Sequence, residues 1–417
     1  MLYTNMKKTE NQNSIQFRKN FIWNLLGTTV NAATSFIYMI IATRINGLEE
    51  AGVFSIAFSN ACVLVVIGTY MGRTYQINDV KHSDKVFIQS RKITCLLMLL
   101  VCLGMIFIFQ YSVEKSLIFL IWTVYKMLEA FSDVIYGVLH KNNRLDYVGQ
   151  SLVLKAVLSI LIFGLLNSIF RNLMWASLGA CAAALLIMIF WDYKYYKRYR
   201  VSKDFWSVSE CRDILKEGSF ICITALLSTY LVNASKYAID MYGSDSMQAV
   251  YGILAMPATA MVLVGQYLIQ PLLLKMSLLY RQKEKKAFIK NIFCIEAAIA
   301  GVGVFGIICA ATIGIPILGI VYGVDLSMYR IQLVIVMIGA LFYGGATVLT
   351  NVLTIMNKNR VQTACYALIS VVVLLVSGTI VTRTGITGAV CIYAVSMMSV
   401  LVLLALVTAL KIKRSSF

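Results

Sequence analysis

The stretch "GSFICITALLSTYLVNASKYAID", residues 218–240, decides the fold. From Gly218 to Ser235 it holds no Asp, Glu, Lys or Arg, and a helix needs only ~20 predominantly apolar residues to cross the hydrocarbon core of a bilayer. Lys236 and Asp240 then appear one helical turn apart at its far end. Ionisable residues at such depth are costly, and each marks a candidate functional position.

Working outward, the same apolar texture covers the chain. Of 417 residues, 59% are hydrophobic and 13% charged, with a mean hydropathy of +0.79. These values exclude an ordinary soluble domain and predict an all-α polytopic membrane protein. About twelve transmembrane helices are expected, near 20–43, 51–72, 92–110, 116–139, 149–170 and 172–191, then 218–240, 249–274, 291–313, 330–355, 361–382 and 386–410. The polar start, residues 1–19, is a cytoplasmic segment ahead of a retained first helix, because no small-residue cleavage site follows the apolar run.

A net charge of +18 in a soluble chain would point to nucleic acid. Here most of the Lys and Arg fall in alternate connectors, among them "RTYQINDVKHSDKVFIQSRK", "HKNNR" and "KMSLLYRQKEKKAFIK", and in the tail "KIKRSS". The positive-inside rule therefore places both termini in the cytoplasm, and the basic excess reports topology in the cytoplasmic membrane, not a nucleic-acid partner. The ten cysteines are scattered without a CxxC pair and read as free thiols. The two histidines, His82 and His140, lie in polar connectors without partners at ligand spacing, so neither a metal nor a cofactor is expected.

An internal repeat divides the chain. In "AGVFSIAFSNACVLVVIGTYMG" and "QAVYGILAMPATAMVLVGQYLIQ" one constant register aligns Val53 with Val250, Ile56 with Ile253, Gly68 with Gly265 and Tyr70 with Tyr267. The expected organisation is a six-helix lobe over 20–191, a basic cytoplasmic linker over 192–217, a second six-helix lobe over 218–410 and a tail over 411–417. Six is even, so both lobes start on one side and the repeat is parallel. Transporters of that build hold substrate between the lobes and rock one against the other. The basic, aromatic linker either hinges or lies on anionic lipid at the inner leaflet.

Charges inside the spans supply the candidate site. Lys126, Glu129 and Asp133 follow at i, i+3 and i+7, on one helical face. Lys155 on the next span reaches the depth of Asp133, which allows an Asp133–Lys155 pair between neighbouring helices. Either these groups neutralise one another within the lobe, or they face a water-filled cavity in which Lys126 binds an anionic group and Glu129 or Asp133 takes up a coupling cation. Arg44 and Asp240 come near the outer ends of the first and seventh spans at matching heights: Arg44 either snorkels to the outer interface or meets substrate, and Asp240 either neutralises Lys236 one turn away or holds it in place and gates the outer side. Glu296, a few residues inside the ninth span, is read as reaching the inner interface. No phosphate-binding loop or nucleophile elbow is present, and no outer connector is long enough to house a catalytic site, which favours transport over catalysis.

Three stretches carry a resemblance to a known family: "NFIWNLLGTTVNAATSFIYMIIATRINGLEEAGVFSIA", "YGVLHKNNRLDYVGQSLVLKAVLS" and "NASKYAIDMYGSDSMQAVYGILAMP". The chain resembles the Wzx-type polysaccharide flippases of the multidrug/oligosaccharidyl-lipid/polysaccharide exporter superfamily. Lys236 and Tyr237 stand where members often have Arg-Tyr, and Asp240 fills the acidic position that follows. The resemblance implies translocation of an undecaprenyl-diphosphate-linked oligosaccharide, for O-antigen or capsule, by alternating access through a cationic cavity. It implies drive from a coupling ion, H+ or Na+, or from the membrane potential, and work alongside glycosyltransferases and a polysaccharide polymerase. Arg44, Lys126, Lys155 and Lys236 are the cations available for the diphosphate. Lysine in place of arginine at 236 gives a point charge where a guanidinium would bind two oxygens. The alternatives are a multidrug or cation antiporter of the same superfamily and, less favoured, a membrane-embedded glycan polymerase or ligase.

Overall fold

In the computed structural model residues 2–70, 72–79, 81–200 and 207–414 are described, with side chains from residue 16 onward except at 74, 268, 270, 271, 274 and 414. Residues 201–206 of the basic linker and 415–417 of the tail lie outside the described residues. The expected apolar runs become helices, and no strand occurs among the described residues. Ten helices there are long and apolar enough to cross a membrane, and the protein is a multi-pass, all-α membrane protein.

Two compact units form, Met1–Asn46 with Ala57–Cys222, and Gly47–Ile56 with Ile223–Phe417. In the first, α1 (Leu2–Asn46) packs chiefly on α6 (Leu145–Phe170). Their crossing depends on two glycines: a Cβ on Gly27 would strike the backbone of Gly149, and one on Gly149 would strike the carbonyl of Trp23. In lipid, where no hydrophobic force draws helices together, such small-residue contacts let backbones approach. The unit continues through α2 (Leu48–Thr69), α3 (Gly72–Asn78), α4 (Asp84–Phe109), α5 (Val113–Lys141), α7 (Leu173–Ile187) and α8 (Tyr193–Tyr199). The first turns of α2, placed by the sequence reading in the amino-terminal lobe, fall in the second unit, where Gly52 lies against the backbone of Asp245.

Helix starts are capped as their sequences dictate. Asn172 accepts from the backbone N–H of Met174 and Trp175, and Ser112 from that of Lys115, satisfying donors that have no partner inside the helix. Between α7 and α8 a π-helical turn, Met188–Asp192, widens the backbone and carries Asp192 inward. Tyr38, Trp122 and Phe163 are fully buried and pack ring on ring with Phe58, centroids 4.9–6.4 Å apart.

The second unit holds α9 (Val208–Tyr242) from residue 223, α10 (Asp245–Arg281), α11 (Lys285–Cys309), α12 (Ile315–Tyr322), α13 (Arg330–Ile355) and α14 (Asn359–Arg414). A π-helical turn, Ala310–Gly314, joins α11 to α12 just ahead of Pro316, whose ring nitrogen has no hydrogen to donate. α13 packs against α10, α11 and α14, with Gly344, Gly345 and Ala346 buried in the seam. α14 breaks at Gly385, where φ of 58° and ψ of −136° suit a residue without a Cβ.

Candidate functional site

In the first unit the i, i+3 spacing of Lys126 and Glu129 closes as an ion pair, Nζ to Oε2 2.8 Å. The ammonium also stands 4.9 Å from the centre of the Phe58 ring and 5.6 Å from that of Tyr125, on a side chain 11% exposed. A cation held between an aromatic face and one carboxylate is partly desolvated, which strengthens its attraction for any further anion that reaches it.

Lys155 does not pair with Asp133. Its ammonium donates to Asp192 Oδ2 at 2.5 Å, to the Tyr136 hydroxyl at 3.0 Å and to the Ser132 hydroxyl. Ser151 donates to the other Asp192 oxygen, and Tyr136 and Ser151 hydroxyls lie 2.8 Å apart. The reason is helical phase. Ser132 and Tyr136 share the α5 face turned to Lys155, whereas Asp133 is displaced ~100° around the helix. Both Lys155 and Asp192 are nearly inaccessible, at 4% and 1%, and the cluster is fully hydrogen-bonded.

Asp133 instead meets two arginines that the sequence reading left in a polar connector. Arg73 Nε lies 3.8 Å from Oδ1 and Arg91 Nη2 3.6 Å from Oδ2. Arg91 is buried, and its Nη1 donates to the Gly68 carbonyl at 2.6 Å. Arg73 Nη1 and Arg91 Nε are buried without a hydrogen-bond partner, so two guanidinium groups face one carboxylate with donors to spare. Such a set is suited to an oxyanion with several oxygens. Its one signal in the sequence is that Arg73 and Arg91 bracket the connector just where the second span ends and the third begins. Asp192 was legible only as the single acid in "WDYKYYKRYR", and its inward turn required the π-helical segment.

The motif "HKNNRLDYVGQ" builds a structural knot between α5 and α6. Arg144 forms two hydrogen bonds to the buried Asp146, at 2.9 and 2.8 Å, lies 3.8 Å over the Tyr147 ring and donates to Tyr199. Asn20 of α1 donates to the Asn143 carbonyl and accepts from the Asp146 N–H. Pairing with Asp146 holds the Arg144 guanidinium above its usual range despite burial.

In the second unit Lys236 lines a cavity of about 110 Å3 with Asn233, Tyr251, Thr259, Tyr343 and Tyr393. Asp240, one turn further on α9 and partly exposed, is not among the residues that line it. A larger cavity of about 680 Å3, walled by Met261, Phe305, Ile313 and Met337, presents no charged side chain and suits hydrocarbon. Arg44 is exposed in the last turn of α1. Thus the structure joins Lys126 to Glu129, gives Lys155 and Asp133 partners other than each other, and sets Lys236 on a cavity wall.

With this geometry in view, comparison with known proteins is informative. The family described as polysaccharide biosynthesis protein matches residues 17–277. The capsular polysaccharide biosynthesis protein CapF of Staphylococcus aureus is 20% identical over 377 residues, 89% of this chain and 94% of that protein. Among solved structures, the inward-facing conformation of a multidrug resistance MATE family transporter of the MOP superfamily has a TM-score of 0.66 at 11% identity, over 94% of this chain and 100% of that one. The Vibrio cholerae MATE transporter VcmN in the bent form has a TM-score of 0.63 at 14% identity, over 96% and 98%. At those identities the likeness establishes the fold, which is that of these membrane transporters. By the match over most of its length, the chain belongs to the polysaccharide biosynthesis protein family.

Proposed function

We propose that the protein is a flippase that carries an undecaprenyl-diphosphate-linked oligosaccharide across the cytoplasmic membrane by alternating access, for assembly of a surface polysaccharide. The observation that carries this reading is the cation on an accessible wall in the transmembrane region: Lys236 on a cavity lined by phenols and small polar groups. A diphosphate needs such a charge to leave water, and the phenol and amide groups suit sugar hydroxyls. Lys126 over Phe58, and the guanidinium groups of Arg73 and Arg91, offer further cationic sites in the first unit. Family membership and the similarity to CapF support a place in polysaccharide export.

In this reading twelve segments span the membrane. The ten apolar helices are joined by α5, whose Lys126, Glu129 and Asp133 exclude it on composition alone, and by the separate crossing of α14 beyond Gly385. Both termini are cytoplasmic. Glycosyltransferases supply the lipid-linked sugar, and a polymerase consumes it.

The test is export in cells and flipping in vesicles. Lys126→Ala and Lys236→Ala are each expected to reduce surface polysaccharide with protein level unchanged, and to slow movement of a diphosphate-linked sugar across proteoliposomes. Wild-type polymer in both variants would overturn the cationic reading. Efflux of fluorescent cations in place of lipid-linked sugar would favour the antiporter.

A further inference from the structure

Glu296 is the exception among the carboxylates discussed above. Asp133, Glu129, Asp146 and Asp192 each have a cationic partner. Glu296 has none among the described residues, and its Oε1 is buried without a hydrogen-bond partner. It stands five residues into the ninth span expected at 291–313, about 8 Å along the axis of α11 at 1.5 Å per residue. The carboxyl turns into the seam with α13: a Cβ on Gly345 would lie 2.9 Å from Glu296 Oε2 and 3.1 Å from a Leu401 methyl of α14. Gly345 therefore makes the space that the carboxyl occupies.

Among the described residues the neighbouring helices offer it no ion pair. Lys275 and Arg281 on α10, Arg330 on α13 and Lys411 on α14 form no ion pair with it, nor does Lys290 on its own helix. The phenol of Tyr267 makes no bond to it, and Tyr343, two residues before Gly345 and thus on another face of α13, lines the Lys236 cavity. An ionised carboxylate whose Oε1 is buried with neither a cation nor a donor among the described residues carries a large desolvation cost, so the group is neutralised or moves. A metal cation would need several converging ligands, and no group of three His, Cys, Asp or Glu able to hold one assembles among the described residues.

We propose that Glu296 is a proton-binding site of the second unit: it carries a proton while enclosed against Gly345 and releases it when a rearrangement of α11 against α13 brings it to water. The proton comes from bulk hydronium and returns to water, so no other reactant is needed. If the chain is the flippase proposed above, on which this last step rests, proton binding at Glu296 couples transport to the proton gradient.

Two measurements on the full-length protein in phosphatidylcholine–phosphatidylglycerol vesicles test this. Infrared difference spectroscopy at neutral pH is expected to show a protonated carboxyl C=O band that disappears in Glu296→Gln and shifts in Gly345→Ala, whose added methyl presses on the carboxyl. A spectrum unchanged by Glu296→Gln would overturn the proposal. An imposed proton gradient is expected to speed transfer of a diphosphate-linked sugar in the wild type and to have no effect in Glu296→Gln. A variant that responds as the wild type does overturns the coupling role. Absence of sugar transfer even in the wild type would refute the flippase reading, while the infrared result judges the proton site independently. Glutamine is isosteric with the protonated acid, so equal melting of variant and wild type verifies that the fold is intact.

Discussion

Breaking the Lys155–Asp192 pair should destabilise the first unit far more than removing it altogether. Asp192→Asn leaves the Lys155 ammonium, 4% exposed, with only neutral amide and hydroxyl partners, and Lys155→Met leaves an Asp192 carboxylate that is 1% exposed with only Ser151 as donor. Loss of one member of a buried pair typically costs about 3–5 kcal/mol, because the remaining charge stays desolvated. At roughly 2–4 °C per kcal/mol for a unit of this size, each single variant should melt on the order of 10 °C below wild type. The double variant Lys155→Met with Asp192→Leu removes both charges, while Tyr136 and Ser151 keep their mutual hydrogen bond. It should melt within a few degrees of wild type, or above it, since apolar replacement of a whole buried pair is often neutral or stabilising. Thermal unfolding of detergent-purified protein, followed by fluorescence, reads all three. Single variants that melt like the wild type, or a double variant as unstable as the singles, would refute the argument. Exchanging Asp133 and Lys155, by contrast, should rescue nothing, because those residues do not meet.

Other regions give separate tests. Gly149→Ala places a methyl against the Trp23 backbone, which cannot yield as a side chain could, and should cost about 1–3 kcal/mol in unfolding measurements, with a larger loss for Gly149→Val. Arg144→Ala deprives the buried Asp146 of both its strong hydrogen bonds and leaves Lys19 at 3.7 Å as the remaining cation, so stability should fall by roughly 2–3 kcal/mol, with Arg144→Lys intermediate. At the turn between α3 and α4, burial alone would raise the Asp79 carboxyl, but the His82 ring and the N–H groups of Lys81 and His82 outweigh it and hold the carboxyl below its usual range. Its contribution is therefore complete above the ordinary aspartate range, ~4, and is lost as pH falls through the lowered folded value. Hydrogen exchange, corrected for intrinsic rate, should show protection at residues 81–88 failing below that range first, and Asp79→Asn should abolish the pH dependence.

Much of the candidate site could be read before the fold was known, and the rest could not, for a definite reason. Lys126 and Glu129 were legible as a pair because three residues along one helix fix their relative position without help from any neighbour. Apolar length likewise announced most of the membrane helices, since lipid offers the backbone no partner and each segment must satisfy its own hydrogen bonds. Choices between helices were different. Asp133 and Lys155 shared a depth, yet a rotation of one residue on α5 and a π-helical turn beyond α7 gave Lys155 to Asp192 and Asp133 to Arg73 and Arg91.

The sequence by itself determined an all-α membrane protein, the helical faces on which its charges fall, and membership of the polysaccharide biosynthesis protein family, with motifs whose local structure is now visible, such as the Arg144–Asp146 turn. Only the tertiary structure decided which charge neutralises which, that Lys236 borders a cavity, and that the Glu296 carboxyl packs against Gly345 with its Oε1 unpartnered among the described residues. Periodicity along a helix is a local property of the chain. Rotation, tilt and close approach between helices are set by packing, and in a low-dielectric interior a shift of one residue changes which charges can meet.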